Sequence, residues 1–157
     1  MTALEFSIRP LGPGDLGAIE VIERLAYPAP WSRAMFAGEL AKRTSLCFGA
    51  FAVEGGELLG YLIVSRYVDA WHVMNVAVSP DYRRRGVARA LLEHLFSRTA
   101  GDEDRGYTLE VRVSNDDAIG LYEQLGFRSR GVRRGYYTDN REDALIMWKD
   151  TDADPRA

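Results

Sequence analysis

The chain has 157 residues, with 20 basic against 23 acidic side chains and a formal net charge of −3. That length suits one domain, and 46% apolar residues with 11% aromatics supply a buried core, which excludes a disordered chain. The charge excludes the globally basic field that draws a protein to nucleic acid, and a single cysteine, Cys47, excludes an internal disulfide.

Taken in chain order, Phe6 to Arg9 reads as a short strand closed by Pro10 and the turn residues Gly12-Pro13-Gly14. Asp15 is the expected cap of a helix carrying Leu16, Ile19, Val21, Ile22 and Leu25, which Pro28 and Pro30 terminate. A second helix is expected from Ser32, with Met35, Phe36 and Leu40 on its apolar face. Leu46 to Val53 and Leu58 to Tyr67 read as a hairpin around Glu54-Gly55-Gly56-Glu57. After a turn at Asp69-Ala70, Trp71 to Val78 completes an antiparallel meander that Ser79-Pro80 ends. Val87 to Phe96 has the spacing of an amphipathic helix. In the strand Tyr107 to Val113, Leu109, Val111 and Val113 share one face and Thr108, Glu110 and Arg112 the other. A short helix through Ala118 to Leu125 ends at Gly126, and strands at Phe127 to Arg134 and Asp143 to Lys149 close the chain. The order β-α-α-β-β-β-α-β-α-β-β describes an α/β domain over residues 1–149, with a mixed, mostly antiparallel sheet flanked by helices. Residues 150–157 are expected to be an acidic, disordered tail.

Of the basic residues, 18 are arginine and only Lys42 and Lys149 are lysine. Guanidinium groups bind anions in bidentate fashion, and they concentrate in the middle of the chain: residues 83–134 carry 11 basic and 8 acidic groups, a local +3, between two flanks of −3. Within that stretch a strand feeds the loop Arg83-Arg84-Arg85-Gly86, which opens a helix at Val87-Ala88-Arg89. A helix start of this kind offers unpaired backbone N–H groups and a positive dipole end to an anion. By itself an arginine run is a solvated surface or a nucleic-acid contact; its place at a strand-to-helix junction favours a phosphate loop. Neither a Walker A loop nor a Gly-x-Gly-x-x-Gly dinucleotide loop is present.

Arg83-x-x-Gly86-x-Ala88 resembles the pyrophosphate loop of the GNAT family of N-acetyltransferases, and the element order matches that fold throughout. The resemblance implies acetyl-coenzyme A as acetyl donor, with no metal. It also implies that Val76, Ala77 and Val78 pair their backbone with the pantetheine arm, and that Arg84, Arg85, Gly86, Val87, Ala88 and Arg89 wrap the pyrophosphate. Three further segments, Pro30-Trp31-Ser32, Leu109 to Phe127, and Arg133 to Met147 with its Gly135-Tyr136-Tyr137, resemble the branch of the family that acetylates the N-terminal alanine of a ribosomal protein, the eighteenth of the small subunit.

Acetyl transfer from a thioester needs a neutral amine, a stabilised oxyanion and a proton for the departing thiolate. A protein α-amine has a pKa of about 7.7–8.0, so a modest base or a water relay suffices. On residues alone Glu110 is an exposed strand glutamate paired with Arg112 or another arginine, and Tyr122 a buried structural tyrosine. The resemblance makes Glu110 the proton acceptor and Tyr122 the proton donor. It gives Asn115 a hydrogen bond to the cofactor arm beside its plain role as helix cap, and it puts Trp31, Tyr136 and Tyr137 against the peptide. Gly135 stands where a larger polar residue is expected. Cys47 reads as core, and His72 and His94 as structural or surface residues. The expected acceptor is therefore a protein N-terminus, in the cytoplasm, with neither nucleic acid nor membrane as partner and the oligomeric state unknown. A lysine or small-molecule amine as acceptor, and a non-catalytic acyl-coenzyme A binding module, are the alternatives.

Overall fold

The computed structural model describes residues 4–102 and 105–150; of the tail expected over residues 150–157, Asp150 is described and pairs with Arg130, and residues 151–157 lie outside the described residues. Seven strands, β1 (Phe6–Pro10), β2 (Ser45–Ala52), β3 (Leu58–Tyr67), β4 (Ala70–Val78), β5 (Tyr107–Arg112), β6 (Arg128–Arg133) and β7 (Ala144–Lys149), follow the sheet order β1-β2-β3-β4-β5-β7-β6. With the helices α1 (Leu16–Ala26), α2 (Arg33–Ala41), α3 (Val87–Arg98) and α4 (Asp116–Gln124), the order of elements is the expected one. The sheet is mixed: β1 with β2, β2 with β3, β5 with β7 and β6 with β7 pair antiparallel, and β4 with β5 pairs parallel. The described residues divide into two compact units, one drawn from residues 4–65 and 74–99 and the other from 66–73, 100–102 and 105–150.

In the first unit the apolar positions of α1 and α2 meet those of β2, β3 and β4 in a core of Ile19, Ile22, Phe36, Cys47, Phe51, Tyr61, Ile63 and Ala77. Cys47 is buried as expected, and burial pushes its thiol up to about 11, so it is not a reactive thiolate near neutral pH. Ser32 caps α2 by accepting from the Met35 N–H at 3.2 Å. Three expectations fail here. Asp15 does not cap α1 through its side chain; its carboxylate accepts from the Gly12 N–H at 2.8 Å and pairs with Arg9, tightening the short turn before the helix. Val21 and Leu25 are exposed because the buried stripe of α1 runs through Ile19, Ile22 and the carboxylate of Glu23, and Met35 is exposed because α2 buries Phe36 and Glu39 instead. In the second unit the turn after β3 falls at Val68-Asp69, one residue early, with Val68 at φ 58°.

In the second unit β5 alternates as its sequence dictates. Tyr107, Leu109 and Val111 are buried, while Glu110 and Arg112 are half-buried on the opposite face; Thr108 on that face is buried too, its hydroxyl donating to the Met147 carbonyl at 3.0 Å. β7 lies between β5 and β6, with Glu110 opposite Ile146 and Val132 opposite Leu145. The start of β4 joins β5 through the register Trp71↔Tyr107 and His72↔Thr108, and the Trp71 indole donates to the Asp102 carbonyl at 3.1 Å.

Candidate functional site

The first unit holds the arginine loop. β4 ends at Val78, a short turn at Pro80–Tyr82 follows, and α3 begins at Val87 with Gly86 as its capping residue. No side chain caps this helix start, and the first bond back to Gly86 is made by the Ala90 N–H at 3.0 Å, so the amides before it point out of the helix. The backbone is left-handed at Arg84 (φ 62°) and at Gly86 (φ 80°), the turn chemistry from which anion-binding concavities are built. Apart from its neighbours along the chain, nothing among the described residues lies within 4 Å of where a Gly86 Cβ would be, so conformation and not space demands glycine at this point. Arg83, Arg84 and Arg85 are exposed, Arg85 lies 6.0 Å over the Tyr82 ring, and Arg89 stands 3.8 Å from Glu93 one turn on. The buried Val87 and half-buried Ala88 and Arg89 anchor the turn. Loop, helix end and guanidinium groups together fit a pyrophosphate.

Beside the loop, Ala77 is buried and Val76 and Val78 are half-buried. The Val76 carbonyl is engaged by the Tyr27 phenol, which donates to it. Trp31 is packed as core: its ring sits 5.1 Å from Phe36, and its backbone N–H donates to Glu23 at 2.9 Å.

The second unit holds the acid–base candidates. Glu110 is paired through Oε1 with Nε of Arg133 at 3.2 Å, and the Tyr136 phenol is hydrogen-bonded to it. Its ionic partner is therefore an arginine, but Arg133 at the end of β6 in place of Arg112. Tyr122 on α4 is buried against Phe127, 5.8 Å between rings; burial, and then the neighbouring Tyr137, push its phenol upward, so it keeps its proton. Asn115 caps α4 by accepting from the Ala118 N–H at 3.2 Å through Oδ1, which leaves its amide N–H₂ as a donor. His72 on β4 is half-buried; burial lowers its pKa, Glu110 raises it and Arg133 lowers it. His94, in the first unit, packs edge-on to Phe48 at 4.7 Å.

Tyr136 and Tyr137 lie in the loop after β6, with ring centroids 5.1 Å apart. Gly135 before them has φ 59°, left-handed backbone that a larger side chain disfavours, and its N–H donates to Asp143 at 2.8 Å. Sequence reasoning missed what holds this loop. Arg112 reaches both oxygens of Asp139 at 3.0 Å, Glu142 at 3.3 Å and Asn140 at 3.2 Å, with its guanidinium 4.0 Å over the Tyr137 ring. The strand alternation that turned Arg112 to this face was legible; its four partners, 25 to 30 residues away, were not. Arg112→Met is expected to lower hydrogen-exchange protection at the Tyr137 and Arg141 amides roughly tenfold while leaving β5 protected; equal protection in variant and wild type would show that the loop holds itself.

Among the described residues no group of three or more His, Cys, Asp or Glu is placed to hold a metal ion, and no helix is long and apolar enough to cross a membrane.

Residues 16–127 match the acetyltransferase (GNAT) family. The chain is 42% identical to the ribosomal protein bS18-alanine N-acetyltransferase of Escherichia coli K12, over 90% of this chain and 95% of that one. It is 38% identical to the N-alpha-acetyltransferase RimI of Mycobacterium tuberculosis, over 78% and 77% of the two chains. The crystal structure of the Escherichia coli ribosomal-protein-S18-alanine N-acetyltransferase superposes with a TM-score of 0.84 at 40% identity, over 93% of this chain and 94% of that one.

Proposed function

The chain belongs to the GNAT family of acetyltransferases, and we propose that it moves an acetyl group from acetyl-coenzyme A directly to the α-amine of an N-terminal alanine, with ribosomal protein S18 as its protein substrate. The observation that carries this reading is the near full-length identity of 42% to a relative named for that activity.

The residues take roles that follow from their chemistry. The uncapped start of α3 and the guanidinium groups of Arg84, Arg85 and Arg89 bind the pyrophosphate, with Gly86, Val87 and Ala88 lending backbone amides. Val76, Ala77 and Val78 pair with the pantetheine arm as an added strand does; because the Val76 carbonyl already accepts from Tyr27, that pairing starts from a carbonyl fixed in direction. The Asn115 amide donates to the same arm. When bound, the thioester supplies an activated acetyl group with a sulfur leaving group. Glu110 takes the proton from the α-ammonium, whose positive charge replaces Arg133 as the carboxylate's partner. Tyr122, which burial keeps protonated, gives its proton to the departing sulfur and recovers one, by way of water, from the acetylated nitrogen, which sheds its second proton to become the amide. Tyr136 and Tyr137 line the peptide backbone, and Trp31 supports the loop before α2.

The protein, given acetyl-coenzyme A and a peptide beginning with alanine, is expected to add one acetyl mass to the α-amine, read by fragmentation mass spectrometry. A peptide with a blocked α-amine and free lysines tests the alternative acceptor: acetylation there at a comparable rate would overturn the N-terminal assignment, and no transfer to either peptide would overturn the enzyme.

A further inference from the structure

His72 stands in the second unit with no assigned part in the reaction, yet its surroundings are those of a proton carrier. It pairs in register with Thr108 on the neighbouring parallel strand. Partners in register point to one face, and the period of 2 along β5 puts Glu110 on that face too. A diagonal neighbour of this kind stays within reach of long side chains, and a glutamate and an imidazole so placed meet directly or through one water. Three elements present charged or titratable groups to the ring: Glu110 from β5, Arg133 from the end of β6, and Tyr67 from the end of β3, 6.4 Å between ring centroids. Tyr136 joins the group through its hydrogen bond to Glu110.

We propose that His72 is the outlet for the proton that Glu110 takes from the acceptor amine, a relay residue that restores the carboxylate between turnovers. The inference rests on the N-terminal acetyltransferase reading above. In the first step an N–H bond of the α-ammonium breaks and an O–H bond forms on Glu110. In the second, the carboxyl proton passes to the imidazole, directly or by way of one water that gives up a proton as it receives one. In the third, the imidazolium releases that proton to solvent; one proton leaves per acetyl group transferred, and no other reactant is needed. Imidazole is suited to this step because its ordinary ionisation falls between pH 5 and 8, next to that of the α-amine it serves. Burial lowers the pKa of His72, so the ring is neutral and ready to accept near pH 7, and the charge of Arg133 favours release once the ring is charged. The sheet face is what makes this possible: the same residue one position along β4 would point the other way.

The test is the pH profile of kcat/KM on an alanine-initiated peptide for wild type and His72→Gln. Relay through His72 predicts a loss of roughly tenfold at pH 7 that shrinks above about pH 9, where the α-amine is already neutral, and partial rescue at pH 7 by added imidazole. A wild-type profile in the variant, or a loss equal at every pH and not rescued, overturns the relay. A second measurement keeps the inference exposed if His72→Gln folds poorly. The chain has two histidines, so the His72 ring is readily assigned by NMR, and its pKa must fall when Glu110→Gln removes the neighbouring negative charge. A ring that titrates unchanged in that variant sinks the proposal. An inactive wild type takes the acetyltransferase reading down with it, whereas an active wild type with an unaffected His72→Gln takes down the relay alone.

Discussion

Glu110→Gln is expected to lower kcat for N-terminal acetylation by roughly 10²–10⁴-fold with little change in stability. Glutamine keeps the length of the side chain and one acceptor oxygen, so hydrogen bonds from Arg133 and Tyr136 survive in part. What disappears is the ability to hold a proton. The ion pair itself is a poor source of stability: the Arg133 side chain is 56% exposed against 17% for Glu110, and a pair so open to solvent is worth about 0–1 kcal/mol. Loss of rate therefore reports chemistry and not unfolding, which a superimposable denaturation curve confirms. The deficit has a sign in pH. An α-amine ionises near 7.7–8.0, so below that range the variant lacks both a neutral amine and a base, and above it only the base. Activity of Glu110→Gln should climb toward wild type between about pH 7 and 10. If the variant works at the wild-type rate at pH 7, Glu110 is no more than the partner of Arg133 and the proton acceptor lies elsewhere.

That pairing marks the border between what the residues disclosed and what they withheld. Alternation along Tyr107 to Arg112 placed Glu110 on the face away from the buried Leu109 and Val111, and the strand-loop-helix junction around Gly86 disclosed the uncapped start of α3, because both signals are local. The partner of Glu110 is Arg133, 23 residues on, and Arg112 beside it goes instead to the Tyr137 loop; no period in the sequence distinguishes these two arginines. The left-handed backbone at Gly135 explains a glycine that looked out of place, since the turn selects for conformation where pattern comparison looks for size. The failure at Asp15 is of the same kind. An aspartate ahead of a helix is a good cap, but here a shorter route to the Gly12 N–H and to Arg9 competes for the carboxylate. Least legible of all was Glu23. In an amphipathic helix a glutamate between Ile22 and Arg24 reads as solvent-facing, and the groups that make its burial tolerable come from 38 and 52 residues away.

Those groups make Glu23→Ala the most damaging single change to be expected in the first unit. The Glu23 carboxylate is 1% exposed and has no cation among its hydrogen-bond partners; Oε1 accepts from the Tyr61 phenol and from the Asn75 amide at 3.0 Å, and Oε2 accepts from the Trp31 N–H at 2.9 Å. One side chain thus ties α1 to β3, to β4 and to the loop that precedes α2. Alanine would strand these donors in a core where water does not replace the lost oxygen, at about 1–3 kcal/mol each, offset in part because a buried charge is also removed. The net expectation is a loss of about 3–5 kcal/mol, seen as a lower denaturation midpoint with an unchanged slope. Glu23→Gln separates the two ends of the carboxylate. Its remaining oxygen is best used on Tyr61 and Asn75, which turns the new N–H₂ toward the Trp31 N–H, donor against donor. The smaller loss, about 1–2 kcal/mol, then falls on the loop alone. A peptide that contacts this loop through Trp31 will show a raised KM in Glu23→Gln at unchanged kcat. Unchanged KM would leave Trp31 as the core residue that its contact with Phe36 already makes it, and stability of Glu23→Ala within about 1 kcal/mol of wild type would mean that the three donors find other partners.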